Sequence, residues 1–181
     1  MDATDLRVAM IDALARRGLI ARHGDDVECP ATIYGQPAWR GIAPGHEPQA
    51  LMDSTTRQRD LVVSAHATPA APPDLCAAWV ERAFSRLGLG YVTGHAAALY
   101  HDWCHDTDTH DLLVGMIVAT PSHPYSNAGR SWGHVGLYIG DRSVMHSVDG
   151  RVRTVPLELW LSTYGVMAEP RWGWLGGISL A

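Results

Sequence analysis

Lysine is absent from this chain: all 14 basic residues among its 181 positions are arginine. A Walker-type phosphate loop, a Schiff base and a Ser-Lys dyad each need a lysine amine, so those chemistries fall away. The arginines form no run and the formal net charge is −5, which argues against a surface that tracks nucleic-acid phosphates. No apolar stretch reaches about 18 residues, so membrane insertion is not expected. Cysteine is scarce as well. Cys29, Cys76 and Cys104 are too few for a disulfide framework, and an odd count leaves at least one thiol free. The opening Met1-Asp2-Ala3-Thr4-Asp5 is acidic where a signal peptide would be basic, so any export would use a route the sequence does not show. With 46% hydrophobic residues the chain can bury one real core and a small second unit.

Residues 1–65 read as a small N-terminal unit of unassigned role. In it Leu6, Met10, Ala13 and Leu14 recur at helical spacing after Asp2 or Thr4, and Arg16-Arg17-Gly18 ends the helix. From 23 to 60, glycines and prolines punctuate short apolar pieces, which predicts turns with brief strands. Residues 66–73 contain Thr68-Pro69-Ala70-Ala71-Pro72-Pro73 and read as a linker, with the main boundary there. Beyond it, Asp74 is placed to cap a helix from Leu75 to about Arg86, with Ala77, Val80, Ala83, Phe84 and Leu87 as its core stripe. A shorter helix over 95–105, a strand over 112–119, a loop over 121–129, a hairpin of 134–139 with 143–148, a strand near 152–155, a helix over 157–163 and a closing strand near Trp172-Gly173-Trp174-Leu175 complete the reading.

The chemistry concentrates in two places. Cys76 falls in the first turn of its helix, where the positive end of the macrodipole favours thiolate, the nucleophilic form. Gly133-His134-Val135-Gly136-Leu137-Tyr138-Ile139-Gly140-Asp141 alternates apolar Val135, Leu137 and Ile139 with small or polar His134, Gly136 and Tyr138, the period of a half-buried strand headed by a histidine. With His146 downstream, a nucleophile, a base and an orienting group are all available to a papain-like cysteine hydrolase, provided the helix start faces the strand.

Cys76-Ala77-Ala78-Trp79-Val80, Gly115-Met116-Ile117-Val118, and Gly133 to Gly140 with His146 twelve residues after His134 resemble the NlpC/CHAP superfamily of papain-like cell-wall cysteine peptidases and amidases. The resemblance spans residues 73–181. It implies an α+β fold in which the Cys-bearing helix packs on a small antiparallel sheet, preceded here by the N-terminal unit, so that 74–181 forms the peptidase domain. It also implies Cys76 as nucleophile, His134 as base, His146 as orienting residue, and an amide of peptidoglycan, or another peptide, as substrate. Delivery to a cell wall would then use another route or a signal removed from this chain. The lead-in differs from the NlpC branch: Leu75 stands where those members carry Asp, Asp74 lies one further back, and the usual Tyr- and Gly-rich segment is missing. The resemblance therefore names no side-chain donor for the oxyanion.

Competing readings remain. The reaction needs no cofactor, whereas His101 and His105, at i and i+4, with Cys104, Asp106, Asp108 or His110, would suit zinc if they shared a helix face. No Glu follows His101 to serve as the base of an H-E-x-x-H metallopeptidase, and the run reads better as a polar helix end and loop. A catalytically silent wall-binding module on the same fold is a further alternative. Trp132, Trp103 and Tyr138 are candidates to line a substrate groove, with Trp132 and Tyr138 preferred. Hairpin parity tests His146: a plain two-residue turn at Asp141-Arg142 pairs Leu137 with His146 and points the two imidazoles apart. A bulge or odd loop, helped by Gly140, would bring them together, and Asp149 is the fallback otherwise.

Overall fold

The computed structural model describes residues 49–90 and 92–181, together with the backbone of 22–23, 26–27 and 36–37. The expected first helix and Cys29 lie outside the described residues. The short strands β1 (Arg22–His23) and β2 (Asp26–Val27) pair with one another, and β3 (Gln36–Pro37) joins the main sheet. Then follow α1 (Gln49–Met52), α2 (Thr56–Ala67), α3 (Cys76–Ser85), α4 (Ala96–Trp103), β4 (Ile117–Thr120), α5 (Asn127–Trp132), β5 (His134–Gly140), β6 (Ser143–Val148), β7 (Arg151–Pro156), α6 (Leu157–Tyr164) and β8 (Arg171–Gly173). The sheet is antiparallel throughout, in the order β3-β7-β6-β5-β4-β8. The fold is mixed α+β with a small antiparallel sheet, the coarse architecture that the resemblance implied.

The two faces of the sheet carry different cores. Val135, Leu137, Ile139 and Met145 meet α2, α3 and α4 through Leu61, Val62, Ala65, Trp79, Val80 and Leu99. Val118, Val144, Val155 and Trp172 meet α6 through Leu157, Trp160 and Tyr164. β5 lies mid-sheet and is buried on both sides, which is why nearly every residue of it is excluded from solvent. Its alternation sends Val135 to one face and His134 to the other.

The linker expected at 66–73 does not separate two units among the described residues. α2 packs directly on α3, the Ser64 hydroxyl donates to Ala83 O at 2.7 Å, and Gln58 Nε2 donates to Val114 O at 2.8 Å. The proline-rich segment is itself tied down: Trp79 Nε1 donates to Thr68 O, and the Ala71 N–H donates to Ser147 Oγ. α2 begins with a capping box in which Thr55 Oγ1 accepts from the Gln58 N–H while the Gln58 side chain accepts from the Thr55 N–H. Residues 49–67 therefore belong with the core of the chain's remainder, and the turns expected up to residue 60 give way to helix from Gln49.

Asp74 does not cap α3. Leu75 is the N-cap, with no side-chain cap bond, and Asp74 sits at φ 65 with its carboxylate accepting from Ser126 Oγ. The 121–129 loop closes as α5, with Ser126 Oγ accepting from the Gly129 N–H.

Candidate active site

α3 opens at Cys76, so the first N–H groups of the helix surround the thiol before the first intrahelical bond, from the Trp79 N–H to Leu75 O. The sulfur has the N–H groups of Val135, Ala77 and Cys76 itself as hydrogen-bonding neighbours. Val135 follows His134, so the thiol adjoins the start of β5 one peptide from the imidazole. Cys76 and His134 line one cavity of about 150 Å³, together with Asp74, His123, Ser126, Asp149 and Tyr164. On the far side of Cys76 a second hollow of about 260 Å³ is floored by Ala77, Ala78 and Ala96 and walled by His95 and Trp132. Asp74, Cys76 and Gly133 border both, so the two hollows adjoin at the buried Cys76 as the two ends of a candidate groove.

The thiolate expected from the helix start is opposed by burial. Burial pushes the Cys76 thiol up to about 11, Asp74 adds to the rise, and the three backbone N–H groups only partly offset it. Desolvation dominates because the sulfur is enclosed between α3 and β5. Burial therefore favours the neutral thiol over the thiolate in the resting site.

His134 and His146 meet. Their Nε2 and Nδ1 atoms are 2.8 Å apart, and both rings are buried. The turn at Asp141-Arg142 is the tight two-residue kind, with φ 46 and 54, yet the parity problem is resolved. Leu137 pairs with Met145 and Gly140 with Ser143, so Ile139 is an extra residue that shifts the register. Gly140, at φ 95, completes the bulge. The slip leaves His146 beside Gly136, where a Cβ would lie 3.2 Å from the His146 Cβ and 2.6 Å from Val144 Cγ1. The glycine therefore lets β5 lie close against β6 at His146, since a side chain there would crowd Val144 and the Met145 carbonyl.

Tyr164 stacks on His134 at 4.2 Å between centroids and 19° between planes, which fixes the ring. Burial lowers the pKa of both histidines: His134 well below its usual value, helped by His146 and His123, and His146 to about 3, helped by Arg153. Both are neutral at pH 7. With the proton of His134 on Nε2 and donated to His146 Nδ1, the His134 Nδ1 is left as an acceptor, the form a general base requires. His146 Nε2 is then buried without a hydrogen-bond partner, at a cost of about 1–3 kcal/mol.

Comparison with protein-family models and with curated proteins gives no match to this chain.

Other candidate residues divide. Asp149 stands in the turn after β6, at φ 50, and borders the cavity, but His146 already contacts His134. Trp132 is 51% exposed, lies in the groove and packs on His95 at 4.4 Å. Tyr138 is not in the groove. Four residues along β5 from His134, about 13 Å away in an extended strand, it packs between the two cores while its hydroxyl accepts from the Arg142 N–H. Trp103 packs against Gly173 and Gly177, away from Cys76.

The His101 to His110 run forms no shared helix face, because α4 ends at Trp103 and His105 N–H donates to Trp172 O. Cys104 is fully buried, and its thiol is pushed up to about 12. Asp106 and Asp108 accept from backbone N–H groups two residues on. Among the described residues, no three His, Cys, Asp or Glu side chains group in a way that would hold a metal ion. Nor is any described helix long and apolar enough to cross a membrane.

His123 is the residue that sequence reasoning missed. It is buried, lines the cavity beside Cys76 and sets its ring edge-on to His134 at 5.7 Å. Its signal in the sequence was slight: one histidine between Ser122 and Pro124, in a segment that reads as loop.

Proposed function

We propose that the protein is a cysteine peptidase or amidase that cleaves an amide by acyl transfer to Cys76. The observation that carries this reading is the 2.8 Å contact between His134 Nε2 and His146 Nδ1, beside a cysteine at the first position of a helix, in one cavity. In the first step His134 Nδ1 takes the thiol proton as Sγ attacks the substrate carbonyl carbon. The carbonyl π pair moves onto oxygen, and the N–H groups at the start of α3 receive the charge. The tetrahedral species collapses as the C–N bond breaks, and His134 returns the proton to the leaving amine. Water, deprotonated by His134, then hydrolyses the thioester, and the proton goes back to the sulfur. His146 holds His134 in the productive tautomer throughout. A thiol that starts neutral makes this a general-base mechanism rather than attack by a preformed ion pair.

The resemblance to the NlpC/CHAP superfamily supports a peptidoglycan amide as the substrate. The groove supports a two-sided mode of binding, polar around Asp149 and Ser126, and flanked by Trp132 and small residues on the other side. Digestion of purified peptidoglycan, with released amines counted and products weighed by mass spectrometry, tests the reading and names the bond. Product should appear with the unmutated protein, persist in EDTA, and vanish with Cys76→Ala. Loss in EDTA with recovery in zinc would point to a metal-dependent hydrolase instead. Sedimentation with the wall but no product would point to a binding module.

A further inference from the structure

His123 is a buried titratable group that the acyl-transfer scheme leaves unused, and its surroundings restrict what it can do. Its Nδ1 accepts the Tyr125 N–H at 3.3 Å, and its main-chain N–H donates to Gly129 O at 3.0 Å. The ring lies so close to Gly129 that a Cβ there would fall 2.0 Å from the His123 Cε1. Tyr164 meets its edge at 5.1 Å, and Tyr125 packs on it at 5.5 Å. The imidazole is thus fixed in orientation and, with Nδ1 occupied as an acceptor, carries its proton on Nε2. Burial and the Arg130 charge hold its pKa down to about 4, so it is a neutral donor at working pH. It faces the cavity that Cys76 and His134 share.

We propose that His123 is a further catalytic residue, whose Nε2–H donates a hydrogen bond to the substrate carbonyl oxygen as that oxygen becomes an oxyanion during attack by Cys76. This deepens the cysteine-hydrolase reading and rests on it. Backbone N–H groups at the start of α3 supply the other donors, and His123 supplies the side-chain donor that the segment before Cys76 does not offer. No proton changes hands: the bond strengthens as charge builds on oxygen and relaxes when the tetrahedral species collapses. Gly129 is part of the arrangement, because any larger residue would displace the ring.

The test uses a soluble muropeptide as substrate and iodoacetamide as a second probe, because alkylation at a saturated carbon develops no oxyanion. His123→Phe should lower kcat by about 10²-fold with KM little changed, while the rate of Cys76 alkylation stays within about twofold of the unmutated protein. His123→Gln, which retains a donor, should recover at least about a tenth of the lost rate. Gly129→Ala, which moves the ring without altering it, should resemble His123→Phe. A kcat unchanged in His123→Phe overturns the assignment, as does a rise in KM alone. Parallel loss of turnover and alkylation without rescue by Gln would make His123 a structural support for His134, and would also overturn it. Absence of turnover by the unmutated protein is a separate result, which removes the cysteine-hydrolase reading and this inference together.

Discussion

Acidification should unfold this protein by protonating histidines that the fold keeps neutral. His123 and His146 are buried, with pKa values lowered from 6.5 to about 4 and about 3. In the unfolded chain each titrates near its ordinary value, so between the folded and unfolded pKa values the unfolded state binds more protons and stability falls as pH falls. The stabilising contribution is fully present above about pH 6.5 and is lost progressively below it. From pH 7 to pH 5 each of the two histidines should cost about 2 kcal/mol, and the two together about 4 kcal/mol. That is a large share of the 5–15 kcal/mol typical of a domain. His134 adds to the same trend through its own lowered pKa, although its hydrogen bond to His146 makes the two titrate as a pair. Urea unfolding followed by circular dichroism at pH 7, 6 and 5 reads the effect directly. In His123→Phe the loss over this range should shrink by about 2 kcal/mol, because one of the titrating groups is gone. An unfolding free energy that changes by less than about 1 kcal/mol between pH 7 and pH 5 would refute the reasoning, as would an unaltered slope in the variant.

Three further outcomes follow from the site. Because burial holds the Cys76 thiol up at about 11, its alkylation by iodoacetamide should rise steeply from pH 7 to pH 10; a rate flat from pH 5 to pH 9 would reveal a preformed thiolate–imidazolium pair. At position 146, Asn or Asp can still accept from His134 Nε2–H and should retain more turnover than Ala. Three equal activities, on proteins of unchanged thermal unfolding, would remove His146 from the catalytic group and make Asp149 the next residue to test. Gly133→Ala should destabilise the protein by about 2 kcal/mol or more, since the glycine is at φ 71 and a Cβ would lie 2.0 Å from Thr120 O. A urea midpoint equal to that of the unmutated protein would count against this close approach.

Much of the domain could be read locally. The alternation of His134 to Ile139 specified a strand with His134 opposite the apolar face, and the spacing of Ala77, Val80, Ala83 and Phe84 specified a helix with Cys76 in its first turn. α2 was also legible in principle, since Thr55 to Gln58 is a capping box and Gln58, Leu61, Val62 and Ala65 recur at helical spacing. The proline-rich segment beside it suggested a boundary, but prolines restrict local backbone without preventing the chain on either side from sharing one core.

The sequence by itself determined periodicity, helix start and turn chemistry, because these depend on neighbours a few residues apart. Only the tertiary structure decided the site's protonation and its full membership. The helix-start field on Cys76 is visible in sequence, but the opposing desolvation exists only once β5 closes over the sulfur, and it wins. Hairpin parity showed that His146 needed a bulge, yet the bulge at Ile139 forms through pairing across the β5 and β6 strands and could not be located beforehand. His123 reaches the cavity from a loop about 50 residues from Cys76, held there by Gly129 and the aromatic rings of Tyr125 and Tyr164. No local pattern encodes such a meeting, because long-range packing alone brings those residues within reach of one another.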